Sequence, residues 1–180
     1  AHYLNDEGYT NEILNGDIHT ANQRLAELES RSQAKTFIYA LLYGAGDAKL
    51  GSVVGRGRAV GKGLRQRFFD NLPSFKKLTD RVQREASSGF VKALDGRKLT
   101  VRSEHAALNT LLQGAGAIVM KKALIILDEK IKNHGYDAKF VANVHDEWQI
   151  ECHLADAVEV GKLGVNAIKE AGCMFNLNCP

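Results

Sequence analysis

The sequence predicts an α+β protein in which helices predominate. Three observations carry that expectation. Long stretches repeat apolar residues at three- and four-residue steps. Only two prolines, Pro73 and Pro180, occur in 180 residues to interrupt them. Two further segments alternate with a period of two around a turn, the mark of hairpins. The order is helices, hairpin, long helix, hairpin, helix, which segregates helices from antiparallel strands.

Residues 9–15 and 17–29 read as short helices, with Thr10 or Asp17 available as N-caps. A longer helix is expected over residues 30–43. The basic, glycine-rich stretch "GAGDAKLGSVVGRGRAVGKG" connects onward with one helical turn inside it. Residues 57–71 and 73–88 form two more helices, Pro73 sitting at a helix start where its missing N–H costs nothing. "GFVKALDGRKLTVRS" alternates as two strands around Asp95-Gly96. Residues 104–133 hold the longest helical pattern, with Leu108, Leu111, Leu112, Ala115, Val119 and Ile126 on its buried face. "AKFVANVHDEWQIEC" is a second hairpin, apolar on both arms and interrupted by His145-Asp146-Glu147. A helix over 154–171 and a short strand near 174–178 complete the expectation.

An apolar share of 44% and a charged share of 25% exclude a disordered chain. No uninterrupted apolar run approaches bilayer length, the longest being "ALIIL" at 123–127, and "AHYLNDEGYT" lacks a secretory layout. Both point away from a membrane. Cys152, Cys173 and Cys179 form no CxxC pair and leave an odd thiol, which fits a reducing compartment and a cytoplasmic protein. The net charge of +3 conceals an asymmetry: residues 31–102 hold 16 basic and five acidic side chains, and the remainder holds eight and 16. Such a basic middle is either a lobe facing phosphates or a solvated surface.

"RSQAKTFIYALLYGAG" separates the two. Arg31, Lys35, Tyr39 and Tyr43 recur at four-residue steps of about 400° around a helix and so share one face. Ala34, Phe37, Ile38, Leu41 and Leu42 supply the opposite, apolar face. Two cations near the positive end of a helix dipole repel it unless a polyanion sits there. Two phenols farther along could stack on a sugar and a base. Any two of these residues would suit a plain solvated face; four in this order do not.

The pattern Arg-x3-Lys-x3-Tyr-x3-Tyr-Gly resembles the O helix, or motif B, of family A DNA polymerases, and "AKTFIYALLYGAGD" looks like their phage branch. The resemblance implies that Arg31 and Lys35 hold the incoming nucleotide's phosphates, with Lys35 also serving catalysis. Tyr39 would lie against the sugar, as in the branch that tolerates dideoxynucleotides, and Tyr43 beside the templating pair. His19, in "GDIHT", matches a phage-branch histidine that approaches the phosphates. "VHDE" at 144–147 is similar to motif C, which makes Asp146 the expected Mg²⁺ ligand and catalytic residue, Glu147 its support, and His145 a neighbour of the primer end or a packing residue. "HAALNTLLQGAGA" resembles the helix that meets the primer–template minor groove, where an amide can read acceptors common to every base pair. That role falls to Gln113 and Asn109. Arg97 and Lys98 in the first hairpin contact the nucleic-acid backbone or are simply solvated. His105 stands where many relatives have arginine, and its role is open.

The implied division is a helical lead-in over 1–30, a basic fingers subdomain over 31–102, and part of a palm over 103–180. Motif A, with the family's other metal-binding aspartate, normally lies shortly before an "LAHY"-like segment, and the sequence begins at Ala1 of "AHYL". The expectation is therefore template-directed DNA synthesis from dNTP on primer–template DNA, with Mg²⁺, completed by an N-terminal part of the polymerase. The 180 residues alone are expected to be inactive. The alternative is a non-catalytic nucleotide- or DNA-binding module, or one half of a split polymerase. Other motifs fail: "GRGRAVGKG" has the wrong spacing for a Walker loop and no preceding strand, and Cys152-His153 lacks the partners of a zinc site.

Overall fold

Polar side chains set the starts of the first three helices. The computed structural model describes residues 2–144 and 147–179. Asp6 accepts from the Tyr9 amide at 3.0 Å and begins α1 (Glu7–Asn15). Thr10, the cap expected for this helix, lies one turn inside it and donates its hydroxyl to the Asp6 carbonyl at 2.7 Å. An extended aspartate ahead of the helix can satisfy an orphan amide that a residue already within the turn cannot. α2 (Ile18–Ala26) starts at Asp17 as expected. It stops short of residue 29 because Glu27 enters the left-handed region at φ 54°, where the Glu27 and Leu28 amides close on the Arg24 and Gln23 carbonyls. α3 (Arg31–Leu42) opens on a capping box in which Ser30 and Gln33 satisfy one another's amides.

α4 (Asp47–Ser52), α5 (Arg58–Asn71) and α6 (Pro73–Ala86) follow. Gly61 lets α5 lie against α4, since a Cβ there would run into the Asp47 carbonyl. β1 (Phe90–Lys92) and β2 (Lys98–Thr100) pair antiparallel, with Val91 opposite Leu99. Gly96, at φ 88°, makes the expected turn. α7 (Ala107–His134) enters through the 3₁₀ turn Glu104–Ala106. β3 (Ala138–Val144) and β4 (Glu147–Cys152) form the second antiparallel pair, and α8 (Ala157–Cys173) ends the regular structure.

Contacts divide the chain into two units. The first comprises residues 2–93 and 97–112. Its core is aromatic at the centre, with the Phe37 and Phe68 rings edge to face at 5.7 Å and those of Phe68 and Phe75 at 5.4 Å. Leu50, Leu64, Val82 and Val91 close around them. The Tyr9 hydroxyl donates to Oδ1 of buried Asn22 at 2.9 Å, which gives that amide oxygen its partner.

The second unit comprises residues 94–96 and 113–179. Val119, Ala123, Ile126, Leu127 and Ile131 of α7 face Val160, Ala167 and Ala171 of α8, with Phe140, Trp148 and Ile150 of the hairpin packed on them. Counting uninterrupted runs understates α7. Averaged over its most apolar stretch its mean hydropathy is 1.5, enough by length and composition to cross a bilayer, and here it supplies the core of this unit. β3 carries a bulge between Phe140 and Ala142 that turns Val141 outward, 64% exposed. The strand expected near 174–178 does not form among the described residues. The Phe175 and Leu177 amides instead fold back on the Gly172 carbonyl, both at 2.9 Å. The alternating residues there have no ladder to join, and the end of α8 takes their donors.

Candidate functional site

The capping box fixes where α3 begins and so puts Arg31 at its first position. Lys35 and Tyr39 follow at one-turn steps, and Tyr43 is the C-cap. Ala34, Phe37, Ile38 and Leu41 are buried on the other side, which holds the four predicted residues on the exposed edge. Tyr39 is 48% and Tyr43 58% exposed, unusual for phenols without a partner to cover them.

α2 adds to this edge. Its histidine, His19, brings its ring to 6.3 Å from that of Tyr39, and its Nδ1 is buried with no hydrogen-bond partner among the described residues. Asp17, the α2 cap, reaches across to Arg31, whose Nε donates to Oδ2 at 2.6 Å and whose Nη2 donates to Oδ1 at 3.1 Å. The same carboxylate accepts from the His19 amide at 3.0 Å and the Thr20 hydroxyl at 2.8 Å. The Arg31 hydrogen bond, then that of Thr20, holds the Asp17 carboxyl well below the ordinary carboxylate range. Lys35 is exposed and has no ion-pair partner among the described residues. The edge thus offers a free ammonium, a guanidinium already engaged by a carboxylate, and two aromatic faces in line. Such a surface suits a ligand that is anionic at one end and planar at the other.

Past Tyr43 the chain turns at Gly44, φ 77°, where a Cβ would strike the His105 carbonyl. The turn opens a cleft of about 580 Å³ lined by Arg58, Lys62, Arg65, Lys76 and His105. Arg65 Nη2 donates to the Ala45 carbonyl at 2.7 Å, and its Nε lies 2.8 Å from Asp47 Oδ1 as a charge contact out of line with the N–H. Sequence reasoning rejected this stretch as a phosphate loop and missed the cleft. The available signal was the spacing of Arg58, Lys62 and Arg65, which puts three cations on one face of a helix.

The remaining predicted residues lie apart from this edge in the chain. Lys98, in β2, rests its ammonium 4.3 Å from the Phe90 ring centroid, a cation–π contact within the hairpin. Arg97 is exposed beside it, its carbonyl accepting from the Ala93 amide at 2.8 Å. Asn109 is half-buried in the first turn of α7, and Gln113 is exposed one turn on. Glu147 opens β4, is exposed, and accepts from the Gln149 side chain at 3.1 Å. His145 and Asp146 lie outside the described residues. Among the described residues no group of three or more His, Cys, Asp and Glu side chains could hold a metal ion. Mg²⁺ takes one or two carboxylates plus substrate phosphates, so the acidic pair in "VHDE" fits part of such a site by donor type.

Comparison with known proteins identifies the family. The family described as DNA polymerase family A matches residues 1–180. The chain is 44% identical over 204 residues to the DNA-directed DNA polymerase of Escherichia phage T7 and, equally, to that of Enterobacteria phage T3, in each case covering 99% of this chain and 29% of the relative. It is 37% identical over 153 residues to DNA polymerase I of Aquifex aeolicus, covering 80% of this chain and 27% of that protein. Its fold matches the POL domain of Pol1 from M. smegmatis, a structure in complex with DNA primer-template and dNTP, with a TM-score of 0.84 at 24% identity, over 95% of this chain and 34% of the other. The chain therefore spans under a third of the length of these phage relatives, and it belongs to DNA polymerase family A.

Proposed function

We propose that this chain carries the nucleotide-binding helix and part of the catalytic palm of a template-directed DNA polymerase, which transfers a nucleotide from dNTP to a primer 3′-hydroxyl. The exposed line of Arg31, Lys35, Tyr39 and Tyr43, with His19 against Tyr39, is the observation that carries the reading. Arg31 and Lys35 bind phosphates, Tyr39 lies on the sugar, and Tyr43 sits beside the templating pair. Lys35, a cation with no ion-pair partner among the described residues, is the one placed to neutralise charge developing on the leaving phosphates. Gln113 and Asn109 face the minor groove of the primer–template, and the Arg58–Lys62 cleft, with Arg97 and Lys98, follows a phosphate backbone. In this division residues 1–30 lead into a fingers subdomain over 31–102, and residues 103–180 belong to the palm. Asp146, with Glu147 in support, would hold Mg²⁺, which supplies charge neutralisation at the transferred phosphate and activation of the hydroxyl. The setting is the cytoplasm of a bacterial or phage-infected cell.

Equilibrium binding of a fluorescent deoxynucleoside triphosphate tests the reading. Losing a hydrogen bond to a charged group costs about 1.5–3 kcal/mol, so Arg31→Ala or Lys35→Ala should weaken binding by roughly 10- to 100-fold. Unchanged affinity in both variants would remove the nucleotide reading. The 29% coverage of the phage polymerases supports a second statement, that the 180 residues extend no primer by themselves and work with further polymerase sequence. Primer extension by the isolated chain, abolished in Asp146→Ala, would overturn that.

A further inference from the structure

We infer that Asp17 is a resident counter-ion for Arg31, a built-in stand-in for phosphate that an incoming nucleoside triphosphate must displace. The inference rests on the nucleotide reading of α3. The Asp17 carboxylate is anchored independently of Arg31: it caps α2 through the His19 amide at 3.0 Å and holds the Thr20 hydroxyl at 2.8 Å. It cannot follow Arg31 without uncapping its helix. Arg31 commits its Nε and one Nη2 hydrogen to that carboxylate, at 2.6 and 3.1 Å, in the side-on fork that also suits a phosphate. The two ions therefore compete for one guanidinium edge.

Which ion wins follows from charge and exposure. Both partners are largely exposed, with Arg31 56% and Asp17 43% accessible, so the pair is weak and quick to open. A triphosphate brings several negative charges and meets Arg31 and Lys35 together, whereas Asp17 brings one charge and meets only Arg31. Without nucleotide, the carboxylate keeps Arg31 extended toward α2 and lowers the attraction of this edge for lone anions. On binding, Arg31 exchanges one oxyanion for another, and Asp17 keeps its contacts to His19 and Thr20. Asp17 is thus a positioning residue that sets the affinity of the site from outside the ligand.

The test is binding of a fluorescent deoxynucleoside triphosphate to the wild-type chain, Asp17→Asn, Arg31→Ala and the double variant. Asparagine is as good a cap as aspartate, which leaves α2 in place. Removing the competing charge should tighten binding about two- to fivefold, the range of an exposed pair, and the gain should vanish when Arg31 is absent. Weaker or unchanged binding in Asp17→Asn, with Arg31→Ala still impaired, overturns the counter-ion role and leaves the nucleotide reading standing. No triphosphate binding by the wild type, or none lost in Arg31→Ala, overturns both. A second readout needs no variant: the Arg31 Nε–H resonance of the free chain should shift as triphosphate is added. A resonance unmoved at saturation also overturns the exchange.

Discussion

Asp6 ties together parts of the first unit that lie far apart in sequence. It caps α1 through the Tyr9 amide and accepts from the Ser74 hydroxyl on α6 at 2.7 Å. Those bonds, the Tyr9 amide foremost, lower its pKa below the ordinary 3.8. A carboxyl depressed in the folded state contributes stability that is complete above its unfolded value and is lost as pH falls through its folded one. Asp6→Ala should cost about 0.5–2 kcal/mol near neutrality. In urea unfolding, the stability gap between wild type and Asp6→Ala should narrow once the pH drops below about 4. A gap that is constant with pH would mean that the Asp6 charge is not involved. The capping role of Asp17 was legible from sequence because it depends on neighbours two and three residues away. Its grip on Arg31 spans 14 residues and needs α2 and α3 folded side by side. A separation of 13 residues likewise hid the Tyr9–Asn22 pair, two polar residues with nothing local to join them.

Elements followed the sequence wherever periodicity decides and departed where single carbonyls do. The apolar stripes of α3, α5, α6 and α7 are local patterns, and each forms close to its expected place. The early end of α2 and the lost C-terminal strand both turn on which carbonyl captures an amide, a matter of tertiary geometry that alternation cannot reveal. Glycines offer a test at this scale. Gly44 and Gly55 share positive φ, 77° and 66°, but a Cβ at Gly44 would strike the His105 carbonyl, while nothing lies within 4 Å of one at Gly55. Gly55→Ala should lose only the backbone term, about 1–2 kcal/mol. Gly44→Ala should lose that and the contact between the end of α3 and residue 105, with a total nearer 3–4 kcal/mol when overpacking is added. Equal losses in thermal melts would show that the Gly44 approach is loose. The α3 edge was legible because four-residue steps are local; the Arg58–Lys62 cleft was not, because the Gly44 turn and the packing of α4 on α5 create it.

Across the whole molecule the basic middle acquires a shape: cations on the α3 edge and in the cleft beyond Gly44, all within the first unit. Binding to DNA should therefore weaken steeply with salt, and Arg58→Ala or Lys62→Ala should each make the log–log slope shallower by about one. Lys132→Ala, which removes a cation paired with Asp128 at 2.6 Å in the second unit, should leave the slope unchanged. Equal effects from all three would reduce the cleft to one part of a diffuse positive field. The second unit has its own reporter. Trp148 is the single tryptophan of the chain, half-buried against α7 and α8 with its Nε1 enclosed and unbonded among the described residues. The first unit contains tyrosines 3, 9, 39 and 43 and no indole. Selectively excited indole emission will thus record the melting of the second unit alone, and tyrosine absorbance will be weighted toward the first. Superimposable denaturation curves from the two chromophores would make the chain one cooperative folding block; separated midpoints would make it two.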